Sequence, residues 1–246
     1  AGLPEAANII YMAGRKFGST GSEHLTWAIN TIVPYHVART FTDSRVVVFS
    51  TGCVYPIVDV STGGATEATS PDPVGEYAMS CLGRERMFDY YSHTGNLKVL
   101  QFRLNYAVEP RYGVLVDVAT KVFREEAVDV TTGFANVLWQ GDVCNQAIRS
   151  LALASSPPRV LNVTGPETIS IRWLAKEFGQ RMGKTPIFTG QENNRGYLSN
   201  ATQANAIFGN PTVSLGTLID WTAAWVSSGG ENLGKPTHFE TQDGKY

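Results

Sequence analysis

The sequence predicts an α/β fold built on a doubly wound parallel sheet, and three observations lead there. Short apolar runs without polar alternation recur at 8–13, 45–50, 97–104 and 159–163, as in strands covered on both faces. Segments with apolar residues at helical spacing lie between them. Strand and helix alternate through the first half of the chain, which favours right-handed crossovers and helices on both sides of the sheet.

Each element has a local reason. The run 8–13 is closed by Gly14, and a polar loop follows. Leu25, Ile29, Ile32, Val33 and Val37 then predict a helix over 24–41, which Pro34 should kink or reset. Val46 to Phe49 form the clearest strand, ending in the small-residue turn Thr51-Gly52. Residues 56–75 are rich in Gly, Pro, Ser and Thr and predict a long loop, a frequent place for function. A helix over 77–92 and a strand over 97–104 complete this half.

After Pro110 the pattern becomes mixed. Helices are expected at 114–123, 142–154, 168–183 and 215–226, with strand-like segments at 128–131, 135–140 and 159–163. Ile169, Ile171, Leu174 and Phe178 should face inward, and Trp221 and Trp225, one turn apart, are expected to pack in the core. Asp142 reads as a helix N-cap. The tail 234–246 is polar and needs no regular structure.

Composition removes several classes. An apolar content of 43% with 17% charged residues is that of an ordinary globular chain. The formal charge of −2, without a basic run, argues against nucleic-acid binding. No apolar stretch reaches membrane-spanning length, and the first residues do not form a secretory signal. Cys53, Cys81 and Cys144 form no CxxC pair and are odd in number, which fits a reducing cytoplasm rather than a disulfide scaffold. The glycosylation-type triplets at Asn162 and Asn200 are therefore discounted, the first because it falls in an expected buried strand. His24, His36, His93 and His238 are scattered, so no metal site is expected. There is no GxSxG elbow and no Walker motif.

In open parallel sheets ligands lie beyond the carboxyl ends of the strands. That rule selects Ala13-Gly14-Arg15, Ser50-Thr51-Gly52 and Asn105-Tyr106, and Tyr77 joins them because it opens a helix straight after the long loop. The Thr51 hydroxyl and the Tyr77 phenol can share one substrate oxygen, and the phenol can exchange a proton if its neighbours draw its pKa down.

These residues sit in a longer pattern. The run Val46-Val47-Val48-Phe49-Ser50-Thr51-Gly52-Cys53-Val54-Tyr55, then Glu67, Pro73, Tyr77-Ala78-Met79-Ser80-Cys81 with Glu85, and Phe102-Arg103-Leu104 with Pro110, resembles the extended short-chain dehydrogenase/reductase family of NAD-dependent sugar-nucleotide epimerases and dehydratases. Trp139-Gln140-Gly141-Asp142 and Leu161-Asn162-Val163-Thr164-Gly165 extend it, so that it covers roughly residues 8–227. The resemblance implies a Rossmann-like dinucleotide-binding portion over 1–112 and a smaller mixed substrate lobe over 113–246, with about 135–165 returning to the sheet. It implies Tyr77 as acid/base, Thr51 as its hydroxyl partner and Asn30 on the helix behind. Ala13, Gly14, Arg15, Ser50, Asn105 and Tyr106 would border NAD or NADP. The implied partner is a sugar or sugar nucleotide, and the implied assembly is a homodimer through helices near 24–41 and 77–92.

Two departures accompany the resemblance. Where the family has Lys four residues after Tyr, this chain has Cys81, a neutral thiol expected to be small and buried. Arg84, at i+7, shares the face of Tyr77 and can supply a charge, although a solvated surface residue is the plainer expectation. Secondly, the family's glycine-rich phosphate turn is not in its usual place. Gly14 to Gly21 has a GxxxGxxG spacing after a strand, but the next strand ends in Ser50-Thr51 without the acidic residue that would bind a ribose. The loop is therefore read as the one after the family's fourth strand, with Arg15, Lys16 and Ser19 available to phosphate. On that reading about three preceding strands are absent from the sequence and strand 8–13 is an open edge. The expected function is an NAD(P)-dependent epimerase, dehydratase or reductase of a sugar or sugar nucleotide. The alternative is a dinucleotide-binding regulatory protein impaired by Cys81.

Overall fold

A computed structural model describes residues 4–16 and 20–245. In chain order the elements are β1 (Asn8–Tyr11), α1 (Glu23–Trp27), a π-helical turn (Ala28–Ile32), α2 (Val33–Thr40), β2 (Arg45–Thr51), β3 (Val58–Asp59), α3 (Gly75–Thr94), β4 (Lys98–Leu104), β5 (Ala107–Val108), α4 (Val114–Phe123), β6 (Ala127–Asp129), β7 (Phe134–Ala135) and β8 (Leu138–Trp139). There follow α5 (Gln140–Ser150), β9 (Arg159–Val163), β10 (Ile169–Ser170), α6 (Ile171–Met182), β11 (Ile187–Thr189), β12 (Arg195–Gly196), α7 (Thr202–Phe208) and α8 (Leu215–Ser227).

The central sheet runs β1-β2-β4-β9 and every pairing in it is parallel, as the unalternating runs predict. Pleating sends Val46 and Val48 to one face, against Ala38 of α2 and Phe88 of α3. Val47 points the other way with Leu100, Phe102 and Leu161, against Val143 and Ala147 of α5. Burying each such side chain is worth about 1.5–3 kcal/mol, so the doubly covered strands dominate the stability of this half. Among the described residues β1 pairs only with β2 and forms the sheet's edge. A second core gathers α4, α6 and α8, with Ile169, Ile171, Leu174 and Phe178 buried as expected.

Several expectations are corrected. The helix expected over 24–41 is interrupted by the π-turn, which ends just before Pro34, a residue with no N–H to continue the ladder. Trp221 and Trp225 are exposed, because α8 buries Leu218, Ile219, Thr222 and Ala223 instead. Trp221 packs edge-on to Trp139, and the ring of Trp225 lies against Gly230. Asp142 is not an N-cap, since the helix begins at Gln140. Its carboxylate accepts the Thr212 amide at 3.0 Å and hydroxyl at 2.7 Å, fastening the segment between α7 and α8. The tail has no regular structure, yet Thr237 and Phe239 are buried, Phe239 in the second core. Asn162 is wholly buried and accepts the Tyr55 phenol, consistent with discounting its triplet.

Candidate functional site

The carboxyl ends of β1, β2 and β4 open on one cleft of about 430 Å³. Gly14, Arg15, Ser50, Thr51, Tyr77, Asn105 and Tyr106 line it, so the rule of strand ends brings most of the selected residues together. Ala13 is exposed and lies outside the lining, and Asn30 is fully buried beneath it. Of the glycine-spaced loop, residues 17–19, including Ser19, fall outside the described residues.

Thr51 ends β2, and its side chain accepts the Cys53 amide at 3.2 Å, which fixes the turn. Tyr77, in the first turn of α3, lines the same cleft. Burial pushes its phenol well above the usual range, and Cys81 and Cys53 add to that, while Arg84 and a hydrogen bond with Thr51 act the other way. The expected lowering of the Tyr77 pKa is therefore opposed by the site's own dryness. Cys81 is wholly buried, and burial pushes its thiol up to about 11, so it is neutral near pH 7.

Cations surround the pair. Lys16 Nζ sits 5.9 Å from the centre of the Tyr77 ring and donates to the Thr237 carbonyl at 2.9 Å; burial draws its pKa down. Arg15, Arg84 and Lys235 also line the cleft, and among the described residues no carboxylate does. Arg84 is only 5% exposed, which corrects the expectation of a solvated residue. Its Nη1 donates to the Phe49 carbonyl at 2.6 Å and its Nη2 to Asn30 Oδ1 at 2.8 Å. Asn30 also receives the Arg15 amide at 2.7 Å and donates to the Arg15 carbonyl at 2.8 Å and Ser80 Oγ at 2.9 Å. Asn30 is thus a brace that joins the loop after β1 to α3.

Gly14 is required by this packing. A Cβ there would stand 2.5 Å from Arg84 Nη2 and 3.3 Å from Asn30 Oδ1. Gly14→Ala should displace the guanidinium and lower stability by about 1–3 kcal/mol, measurable by chemical denaturation.

The remaining selected residues have structural partners. Ser50 Oγ donates to Glu85 Oε1 at 2.5 Å. Asn105 Nδ2 donates to Asn136 Oδ1 and to the Tyr197 carbonyl, both at 2.7 Å, tying the end of β4 to the second half of the chain. Tyr106 has the left-handed φ of 41°, which turns the chain sharply after β4.

Sequence reading missed the tail. Thr237 donates from its amide (2.7 Å) and hydroxyl (2.6 Å) to Asp117 Oδ2 of α4, while its carbonyl meets Lys16. Lys235 and Thr237 thereby wall the cleft on the side of α4. Tyr112 does the same from the loop before α4. Nothing in a polar tail signals such placement.

No protein-family profile and no curated protein sequence matches the chain. Solved structures do. MoeE5 in complex with UDP-glucose and NAD superposes with a TM-score of 0.73 at 16% identity, over 91% of this chain and 80% of that one. UDP-glucose 4-epimerase of Thermotoga maritima with UDP-glucose gives 0.75 at 16%, over 91% and 78%. RMD of Pseudomonas aeruginosa with NADPH gives 0.76 at 19%, over 90% and 82%. The fold is therefore the Rossmann-like α/β fold of these proteins, in agreement with the resemblance read from the motifs.

Proposed function

We propose that the chain acts on a sugar nucleotide with NAD or NADP, as an epimerase, dehydratase or reductase, and that Tyr77 is its acid/base. The observation that carries this reading is the cleft itself. A phenol and a hydroxyl converge beyond the ends of parallel strands, ringed by Arg15, Lys16, Arg84 and Lys235 with no lining carboxylate among the described residues. Such a lining suits a diphosphate-bearing ligand, and the hydroxyl pair suits proton exchange at a sugar oxygen. The structural neighbours carry nicotinamide cofactors and UDP-sugars, which supports the same class.

The residues present fit the nicotinamide end of a cofactor. The cationic lining offers donors to ribose and phosphate oxygens. When bound, the cofactor supplies a hydride acceptor or donor. Tyr77 then takes or returns the proton of the sugar hydroxyl, Thr51 holds that oxygen in line, and Lys16 and Arg84 favour the phenolate that forms. Asn30 keeps the loop after β1 and α3 in register throughout. Leu25, Trp27, Ile32, Val33 and Met79 leave an apolar surface on the helices near the site. That surface supports a homodimer through α1–α2 and α3.

The decisive test pairs equilibrium binding of NAD(H) and NADP(H) with turnover of a panel of UDP-sugars. Binding with turnover is expected, and failure of both overturns the reading. Binding without turnover selects the second reading, an impaired dinucleotide-binding regulator, which the neutral Cys81 thiol and the raised Tyr77 pKa favour. Cys81→Lys then discriminates, since a gain of activity marks a decayed site.

A further inference from the structure

Arg84 is buried without a carboxylate to neutralise it. Among the described residues, its guanidinium donates only to neutral oxygens, the Phe49 carbonyl and Asn30 Oδ1, its Nε is buried without a hydrogen-bond partner, and no ion pair involves it. Arg103, the neighbouring buried cation, is by contrast paired with Glu85 at 2.6 Å. An unneutralised buried cation weakens a fold unless something else requires its charge. The backbone makes room for it, because Gly14 leaves the space that a side chain would take from Nη2.

We propose that Arg84 is a positioning residue for the Tyr77–Thr51 pair. It ties the end of β2 to the π-turn through Phe49 and Asn30, and it sets a permanent positive charge beside the phenol in place of one at residue 81. The proposal deepens the functional reading above and rests on it for its catalytic meaning. The titratable and charged groups around Tyr77 are Cys53 from the turn after β2, Cys81 and Arg84 from α3, Lys16 from the loop after β1, Tyr106 from the turn after β4 and Tyr197 after β12, with the Thr51 hydroxyl beside them. Of these only Lys16 and Arg84 are cations. Lys16 can lose its proton, whereas a guanidinium keeps its charge across the accessible pH range. Arg84, buried and held through both Nη atoms, is thus the fixed cation on the helix that carries the phenol, whereas Arg15, the other permanent charge in the lining, lies half-buried on the loop after β1.

The test reads the phenol directly and needs no substrate. Tyr77 is replaced by 3,5-difluorotyrosine, whose phenol is intrinsically far more acidic, and its ionisation is followed by fluorine NMR. Arg84→Gln should raise the midpoint by about one pH unit, a tenfold fall in the acid constant. Arg84→Lys should return it close to the parent value. A midpoint unmoved in folded Arg84→Gln overturns the proposal. If Arg84→Gln does not fold, Gly14→Ala carries the test, since it pushes the same guanidinium aside without removing it; an unmoved midpoint there is equally fatal. A shifted midpoint in a protein that neither binds dinucleotide nor turns over UDP-sugars would leave the charge role standing and remove the enzymatic reading, so the two failures are distinguishable.

Discussion

Tyr77→Phe should reduce turnover of a UDP-sugar by about 10²–10⁴-fold while dinucleotide affinity stays near that of the parent. The substitution removes one oxygen at the half-buried wall of the cleft and leaves the ring against Lys16. The aromatic contact therefore survives and the proton carrier does not. Single-turnover measurement of nicotinamide reduction separates this from a loss of binding. Turnover that persists nearly intact would take Tyr77 out of proton transfer and leave the dinucleotide-binding regulator as the better account.

The second large effect concerns stability. Glu85 of α3 accepts Ser50 Oγ, Arg103 Nε at 2.9 Å and Arg103 Nη2 at 2.6 Å, with both charged partners almost wholly buried. Glu85→Ala leaves the Arg103 cation in the sheet with its carboxylate gone, beneath the Tyr55 ring at 4.7 Å. Removing one member of such a pair costs about 3–5 kcal/mol, and for a chain of this size the melting temperature should fall on the order of 10 °C. The double variant Glu85→Met with Arg103→Leu should recover most of that, because the cost lies in the orphaned charge rather than in the lost attraction. Calorimetry of the three proteins decides. A single variant as stable as the parent would mean that water reaches Arg103 easily.

The two variants also show what was legible in the sequence. The strands over 45–50, 97–104 and 159–163 are recognisable because a strand covered on both faces has a purely local signature, and the helix at 114–123 is likewise set by its own periodicity. Tyr77 could be selected because a helix start after a long loop, beside strand ends, is a topological position. Arg84 could not be placed, since an arginine on a helix ordinarily reads as solvated. Its burial depends on a carbonyl from β2 and on the π-turn, both distant in the chain. The same holds for Asp142, whose partner Thr212 lies 70 residues away, and for Thr237, which reaches Asp117 and Lys16 from the far end of the fold. Hydrophobic pattern reports which face is dry, and it is silent on which polar groups meet across the molecule.

The π-turn at Ala28–Ile32 gives the first helical segment an unusual phase. Thr26, Asn30, Pro34 and Ala38 are all buried at intervals of four residues. A regular α-helix advances about 400° over four residues and would rotate each successive member about 40° further from the core. The wider turn absorbs that drift, so one extra residue keeps a single stripe facing inward across the whole length. Deleting Ile29 would restore regular winding and still leave a good amphipathic helix. It would also swing Asn30 out of line with Ser80 and Arg84, so the loop after β1 and the tyrosine helix would lose their common brace while the helix content of the protein stayed the same.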